Sequence, residues 1–256
     1  MTPNDLHSFL EEKYDLYNRP NFIESDPISV PHRFSLKQDI EISGFLSATI
    51  AWGNRKSIIT NAMRLMEMMD NVPYDFLLHA RPEDFKPFLR FVHRTFNGDD
   101  CLFFLTSLQY IYREYNSLEP LFSSMNDHGS EHAIGRFREI FLTCAHLRRS
   151  EKHIANPLAG SAAKRINMFL RWMIRQDDRG VDFGLWTSLN PANLVCPLDI
   201  HSGRTARALG LLQRPQNDWK AALELTTSLR TFDPVDPVKY DFALFGMGIM
   251  EKSRMI

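Results

Sequence analysis

Apolar residues recur at three- and four-residue steps through most of this chain, a spacing that lines them up along one stripe of an α-helix. Ile58, Ala62, Leu65, Met66 and Met69 form one such stripe, and Phe104, Leu108, Ile111, Tyr112 and Tyr115 form a second. Ile134, Phe137, Phe141 and Cys144 make a third, and Trp219, Ala222, Leu223 and Thr226 a fourth. No stretch alternates with period two, and Asn97-Gly98, a common hairpin turn, joins two helical patterns instead. The spacing predicts an all-α fold of roughly eight to eleven helices.

Start signals agree with this. Ser35 with Gln38 forms an expected capping box ahead of Ile40–Leu46, and Asp236-Pro237 an N-cap ahead of Tyr240–Phe245. Asp199 stands as the N-cap of a helix through Arg204 and Ala208. With 256 residues, 44% of them hydrophobic, the chain can bury a core without disulfide or metal support. No linker divides it, so residues 1–256 are expected to form a single compact unit.

Cys101, Cys144 and Cys196 are far apart with no C-x-x-C, so each is expected to be a small buried hydrophobe. The first twenty residues are charged and lack the apolar core of a signal peptide, and no apolar run is long enough to span a membrane. The expectation is a cytoplasmic protein with no membrane partner.

Thirty basic and 31 acidic residues give a net charge of −1, so global charge does not announce a nucleic-acid partner. Locally, His146–Arg179 holds eight cations (Arg148, Arg149, Lys152, Lys164, Arg165, Arg171, Arg175 and Arg179) against three acids. Such a strip is either a solvated helix face or a surface that meets phosphate. Within it, Leu158-Ala159-Gly160-Ser161-Ala162-Ala163-Lys164 places small residues ahead of a strong helix with Ile166, Phe169, Leu170 and Met173 on its apolar face. A turn of this kind lets backbone approach a ligand, and the free N–H groups of the following helix point at an anion.

The segment Leu158–Leu170 resembles the helix–hairpin–helix signature of the endonuclease III and 8-oxoguanine DNA glycosylase superfamily, with Leu158, Gly160, Lys164 and Asn167 in register. Asp199, His201 and Arg204 resemble the superfamily's Val-Asp-Thr-His-x-x-Arg segment. Glu41–Thr49 with Asn54–Ile58 is similar to its first core helix and following turn, and Tyr240–Ile249 to its closing helix. The blocks keep their order over about residues 35–250. The chain as a whole also resembles an uncharacterised bacterial family beside this superfamily, and the long insert between Lys164 and Asp199 is similar to the archaeal 8-oxoguanine branch. Three departures stand out: Ala162 replaces the second hairpin glycine, Ala159 replaces a proline, and the cysteine cluster of endonuclease III is absent, so no iron–sulfur cluster is implied.

The resemblance implies two helical lobes flanking a cleft, one from about residue 35 to 167 and the other from about 1–34 plus 168–256. It implies a base-excision glycosylase and AP lyase acting on an oxidised purine such as 8-oxoguanine in double-stranded DNA, working as a monomer. Lys164 would be the nucleophile, which must lose its proton to attack the sugar C1′, with Arg165 helping to lower its pKa. Asp199 would stabilise the oxocarbenium-like charge. Trp52 and Phe242 or Phe245 are candidates for the wall of a base pocket, and Thr49 lies where relatives fill the gap left by a flipped base. Gly160, Ser161, Ala162, Arg165, Arg171 and Arg204 would meet the DNA backbone, and His201 is read as making a structural hydrogen bond. A monovalent cation at the hairpin carbonyls, in company with DNA, is implied by resemblance alone. Asp182, Glu224, Asp233, Asp236 and Asp241 are acidic, but Asp233-x-x-Asp236 belongs to a turn around two prolines, so no metal ligand is assigned. The alternatives are a non-catalytic helix–hairpin–helix DNA-binding module or a helical scaffold for another protein.

Overall fold

The computed structural model describes residues 2–251. Among them are ten α-helices, short 3₁₀ turns and two isolated β-bridges, with no strand, so the fold is all-α. No helix among the described residues is long and apolar enough to cross a membrane. The chain divides into two compact units, a middle unit from Ile23 to Asn156 and a terminal unit made of the chain up to Phe22 and from Pro157 onward. The second boundary therefore falls before the Gly160 hairpin, not at Asn167. The reason is local bonding: Trp219 N–H donates to the Gly160 carbonyl at 3.1 Å, and Ser161 bridges Asp218.

The middle unit is built around α2 (Lys37–Thr49), which is buried continuously from Asp39 to Thr49. A helix apolar on all sides would be the simple way to do this, yet α2 also buries Glu41, whose carboxylate accepts from Tyr112 Oη (2.8 Å), Ser117 Oγ (2.7 Å) and the Leu118 N–H (3.1 Å). Around it stand α3 (Arg55–Glu67), α4 (Pro73–His79), α5 (Gly98–Tyr115) and α6 (Met125–Phe141). Phe45 meets Phe104, Phe137 and Phe141 with ring centroids 5.5–6.0 Å apart. The α3 stripe is buried as spaced. Tyr115, at the end of the α5 stripe, is 40% exposed, because the helix stops there at a left-handed Asn116. The α2 start differs from expectation: Leu36 is the N-cap and makes no side-chain bond, so Ser35 and Gln38 form no capping box. Lys37 instead ties the first turn to Glu119 through an ion pair at 2.5 Å.

The terminal unit contains α1 (Pro3–Tyr17), α7 (Lys164–Ile174), α8 (Ile200–Ala208), α9 (Trp219–Arg230) and α10 (Asp241–Gly246). α1 packs on α10, with Phe242 near Tyr14 and Phe22 (centroids 6.4 and 5.3 Å). Asp236 flanks a 3₁₀ turn over Pro237–Tyr240 but makes no capping bond, because its carboxylate is taken by Arg175 at 2.9 Å. Cys101 and Cys196 are buried and Cys144 half-buried, all as free thiols.

Asn97 and Asp100 form a reciprocal capping box at the start of α5, and Gly98 lies directly against the Leu89 backbone. A Cβ at Gly98 would fall 2.0 Å from the Leu89 carbonyl oxygen, a clash that only a backbone shift relieves. Gly98→Ala should therefore destabilise the protein by roughly 2–3 kcal/mol or more, as overpacking against backbone does. Urea unfolding of the variant beside the parent measures this.

Candidate functional site

The turn before α7 is assembled from short local bonds. The Gly160 N–H closes a 3₁₀ turn on the Pro157 carbonyl at 2.7 Å, and Gly160 takes φ +88 with open space where a Cβ would stand. Ala162, in the place of the second glycine, does not need positive φ. Ala163 carries the left-handed conformation instead (φ 51, ψ 29) as the N-cap of α7, so the substitution at 162 leaves the turn intact. Alanine has no capping oxygen, and the start of α7 is braced from within: Asn167 Nδ2 donates to the Ala162 carbonyl at 3.3 Å. Asn167 Oδ1 is buried without a hydrogen-bond partner.

Asp199 is the N-cap of α8, as its position predicts, and its two oxygens divide the work. Oδ1 accepts from the N–H groups of His201 (2.7 Å) and Ser202 (2.9 Å). Oδ2 faces Lys164, whose Nζ lies 3.2 Å away. Burial works to raise the Asp199 pKa, but the Lys164 charge and the capping N–H groups outweigh it, and the net shift is downward. Asp199 is therefore a carboxylate at neutral pH.

A third segment joins the two ends, and sequence reasoning missed it. Asn217 Nδ2 donates to the Asp199 carbonyl at 3.0 Å, while its Oδ1 accepts from Arg207 at 2.7 Å. Two residues later, Trp219 N–H reaches Gly160. Asn217–Trp219 thus bonds to the Lys164 turn on one side and the Asp199 cap on the other. In the sequence these residues show only a helix start.

Behind the pair lies a buried ionic cluster. Arg171, 3% exposed, pairs with Asp182 at 3.2 Å and Asp241 at 2.5 Å, its guanidinium 4.2 Å from the Phe242 ring centroid. Arg175, 1% exposed, pairs with Asp177, Asp182 and Asp236 and donates to Tyr14 Oη. The expectation that Arg171 meets DNA phosphate is corrected here, since both its sides are held by internal carboxylates. The other acids considered as metal ligands are also engaged: Asp233 with Lys239 at 2.7 Å, and Glu224 by the Gln213 N–H at 2.6 Å.

Asp241 is the second residue the sequence reading undervalued. Its pKa is pushed up to about 6, chiefly by burial; Arg171 pulls it down while the Asp199 charge pushes it up. Cys196 Sγ sits 3.9 Å from Asp241 Oδ1, and burial followed by the Asp241 charge keeps that thiol protonated.

The remaining expected site residues scatter. Phe242 is fully buried among Tyr14, Phe22 and Arg171, so it is core and no pocket wall; Phe245 is half-buried, edge-on to Phe22. Thr49 and Trp52 belong to the middle unit, where Thr49 is 5% exposed and too buried to fill a gap in a DNA stack. Trp52 is half-exposed and stacked on His153 at 5.7 Å. Gly160, Ser161 and Arg204 are exposed; Arg165 is half-buried, its pKa lowered by burial to about 10. His201 donates its backbone N–H to Asp199, and its ring Nδ1 is buried and unpartnered. The carbonyls of Pro157, Gly160, Ala162 and Ala163 already accept protein hydrogen bonds.

A family model described as a protein of unknown function, DUF2400, matches residues 26–250. The chain belongs to the DUF2400 family. No curated protein and no solved structure matches it. Within this DUF2400 chain, the match spans the hairpin, Lys164, Asp199 and Asp241 alike.

Two stability measurements test the cluster. Arg171→Ala strands Asp241 in the interior and should cost about 3–5 kcal/mol, whereas Arg204→Ala, on the exposed side of α8, should stay within about 0.5 kcal/mol. Asp241 also predicts a pH effect. Its folded pKa lies above the unfolded value of about 3.9, so the folded state holds more protons through that window and stability from this group falls as pH rises. Asp241→Asn should therefore gain roughly 1–2 kcal/mol relative to the parent between pH 4.5 and 7.5. Urea midpoints at the two pH values report the difference, and curves that stay parallel would remove the assignment.

Proposed function

We propose that this protein is a DNA base-excision enzyme, a glycosylase with AP lyase activity, in which Lys164 attacks the sugar of a damaged purine nucleotide and Asp199 stabilises the charge that develops there. One observation carries the reading. Lys164 and Asp199, the two residues that the resemblance to the glycosylase superfamily singles out, lie 35 positions apart in sequence and 3.2 Å apart in space. Each sits at the first turn of its helix, and neither is fully buried, with side-chain exposures of 29% and 17%. A reacting sugar needs access of this kind to both groups.

The chemistry follows from the pair. In the resting protein Lys164 shares an ion pair, and its ammonium must first give up a proton to free the nitrogen lone pair. That lone pair then forms the bond to C1′ as the glycosidic bond breaks, and the departing base carries off the bonding electrons and takes up a proton. Opening of the sugar ring gives a Schiff base on Lys164, and loss of a C2′ proton then expels the 3′ phosphate. Asp199, held ionised and oriented by the α8 N–H groups, places a fixed negative charge beside the cationic sugar without reorganising. The reading makes an oxidised purine such as 8-oxoguanine in double-stranded DNA the substrate, and a cytoplasmic monomer the working form.

Borohydride trapping on duplex oligonucleotides bearing 8-oxoguanine or an abasic site tests this. The parent should form a covalent adduct that Lys164→Ala abolishes. Asp199→Asn keeps a capping oxygen, so it should fold with under about 1 kcal/mol lost, yet slow single-turnover excision by about a hundredfold or more. Duplex binding without an adduct on any lesion would replace the enzyme with a non-catalytic DNA-binding module. Absence of duplex binding even at low salt would leave a helical scaffold for another protein.

A further inference from the structure

Three segments of the middle unit converge around Trp52. The Arg94 side chain lies over Gly53, with Nη1 2.6 Å from where a Cβ would stand. Arg149 donates to the Thr95 carbonyl at 2.9 Å and to Asn97 Oδ1 at 2.8 Å, which ties the 148–153 turn to the 93–97 turn. His153 from that turn stacks on Trp52 with centroids 5.7 Å apart, and His93 meets the same ring edge-on at 5.3 Å.

These segments expose Lys56, Arg90, Arg94, Arg148 and Lys152, none of which forms an ion pair among the described residues. The acids beside them are spent: Glu151 pairs with Arg138 at 2.7 Å, and Asp100, fully buried, pairs with Arg149 at 2.8 Å. Asp99, beside them in sequence, is exposed. Like charges exposed on adjoining segments repel one another, and a chain of net charge −1 has acids enough to have paired them. Arg94 adds a second sign of use. It occupies a left-handed position, φ 56, where glycine or asparagine would sit with less strain, and it presents a guanidinium there.

We infer that this face of the middle unit is a nucleic-acid surface, on which Lys56, Arg90, Arg94, Arg148 and Lys152 grip the phosphates of a DNA duplex. The choice of DNA as the polyanion rests on the function proposed above; the surface itself does not. Guanidinium forks and ammonium groups match phosphate oxygens, and each phosphate neutralised releases condensed counterions, so binding should depend steeply on salt. Exposed Val92 and Leu147 on the same segments make an anionic membrane the competing partner.

The test is duplex binding by the full chain, measured against salt with an undamaged oligonucleotide of about 20 base pairs. Arg94→Gln with Lys152→Gln removes two phosphate contacts and should flatten the slope of log K against log salt by about 1.8, with affinity at least tenfold weaker at low salt. Arg136→Gln, an exposed cation on α6, controls for lost charge and should leave the slope within about one contact of the parent. Parent-like binding by the double variant would overturn the inference, as would binding of phosphatidylglycerol vesicles with none of the duplex. Borohydride trapping separates this from the enzyme reading. If the parent binds duplex through these residues but yields no adduct, the surface stands and the chemistry falls. If an adduct forms and the double variant binds as the parent does, the chemistry stands and the surface falls.

Discussion

The terminal unit depends on two arginines that are almost wholly buried. Arg171 in the last turn of α7 and Arg175 directly after its end are four residues apart, and Asp182 bridges them from the loop that follows. Burying a guanidinium costs several kcal/mol unless carboxylates and hydrogen bonds surround it. Here the required partners come from α1 through Tyr14, from the turn before α10 through Asp236, and from α10 through Asp241. Satisfying those charges leaves little freedom in where the four elements sit. The aromatic packing of Phe242 against Tyr14 and Arg171 then fills the space between them.

α7 is the element on which that constraint acts, and Lys164 is its first residue. With its C-terminal half locked by ion pairs, the N-terminus needs only to be braced at the turn. Asn217–Trp219 and the Asn167 bond to Ala162 supply that bracing. The Lys164–Asp199 pair is therefore held from behind by the ionic cluster and from the side by a short loop. Asp241 links the two sets of charges, because it pairs with Arg171 while feeling Asp199.

The basic strip shows where a charge count misleads. Of its eight cations, Arg171 and Arg175 are internal, Arg149 closes on Asp100, Lys164 pairs with Asp199 and Arg179 closes on Asp15, while Glu151, one of the strip's acids, is taken up by Arg138 from α6. Arg148 and Lys152 stay in solvent, and their companions, Lys56, Arg90 and Arg94, come from parts of the chain with no marked bias in sequence. Net charge in a window counts residues without knowing which are paired, and pairing is a property of distance. The candidate site was more legible. Lys164 and Asp199 could be named because each lies in a short contiguous segment that resembles a motif of the glycosylase superfamily, whereas Asn217 and Asp241 act only through what folds against them.

What the sequence determined by itself is local. The three- and four-residue spacing of apolar residues dictated helices, and capping at Asn97 and Asp199 followed from side chains within three residues of the backbone they serve. Such interactions carry little chain entropy and survive in nearly any tertiary setting. The tertiary structure alone decided which charges are buried, which unit the hairpin joins, and that Ala163, not residue 162, takes the left-handed turn. Those outcomes depend on contacts such as Arg175 with Asp236, 61 residues apart, and Tyr14 with Arg175, 161 apart. A carboxylate reads the same in sequence whether it faces water or an arginine, because only its neighbours in space set the cost of its charge.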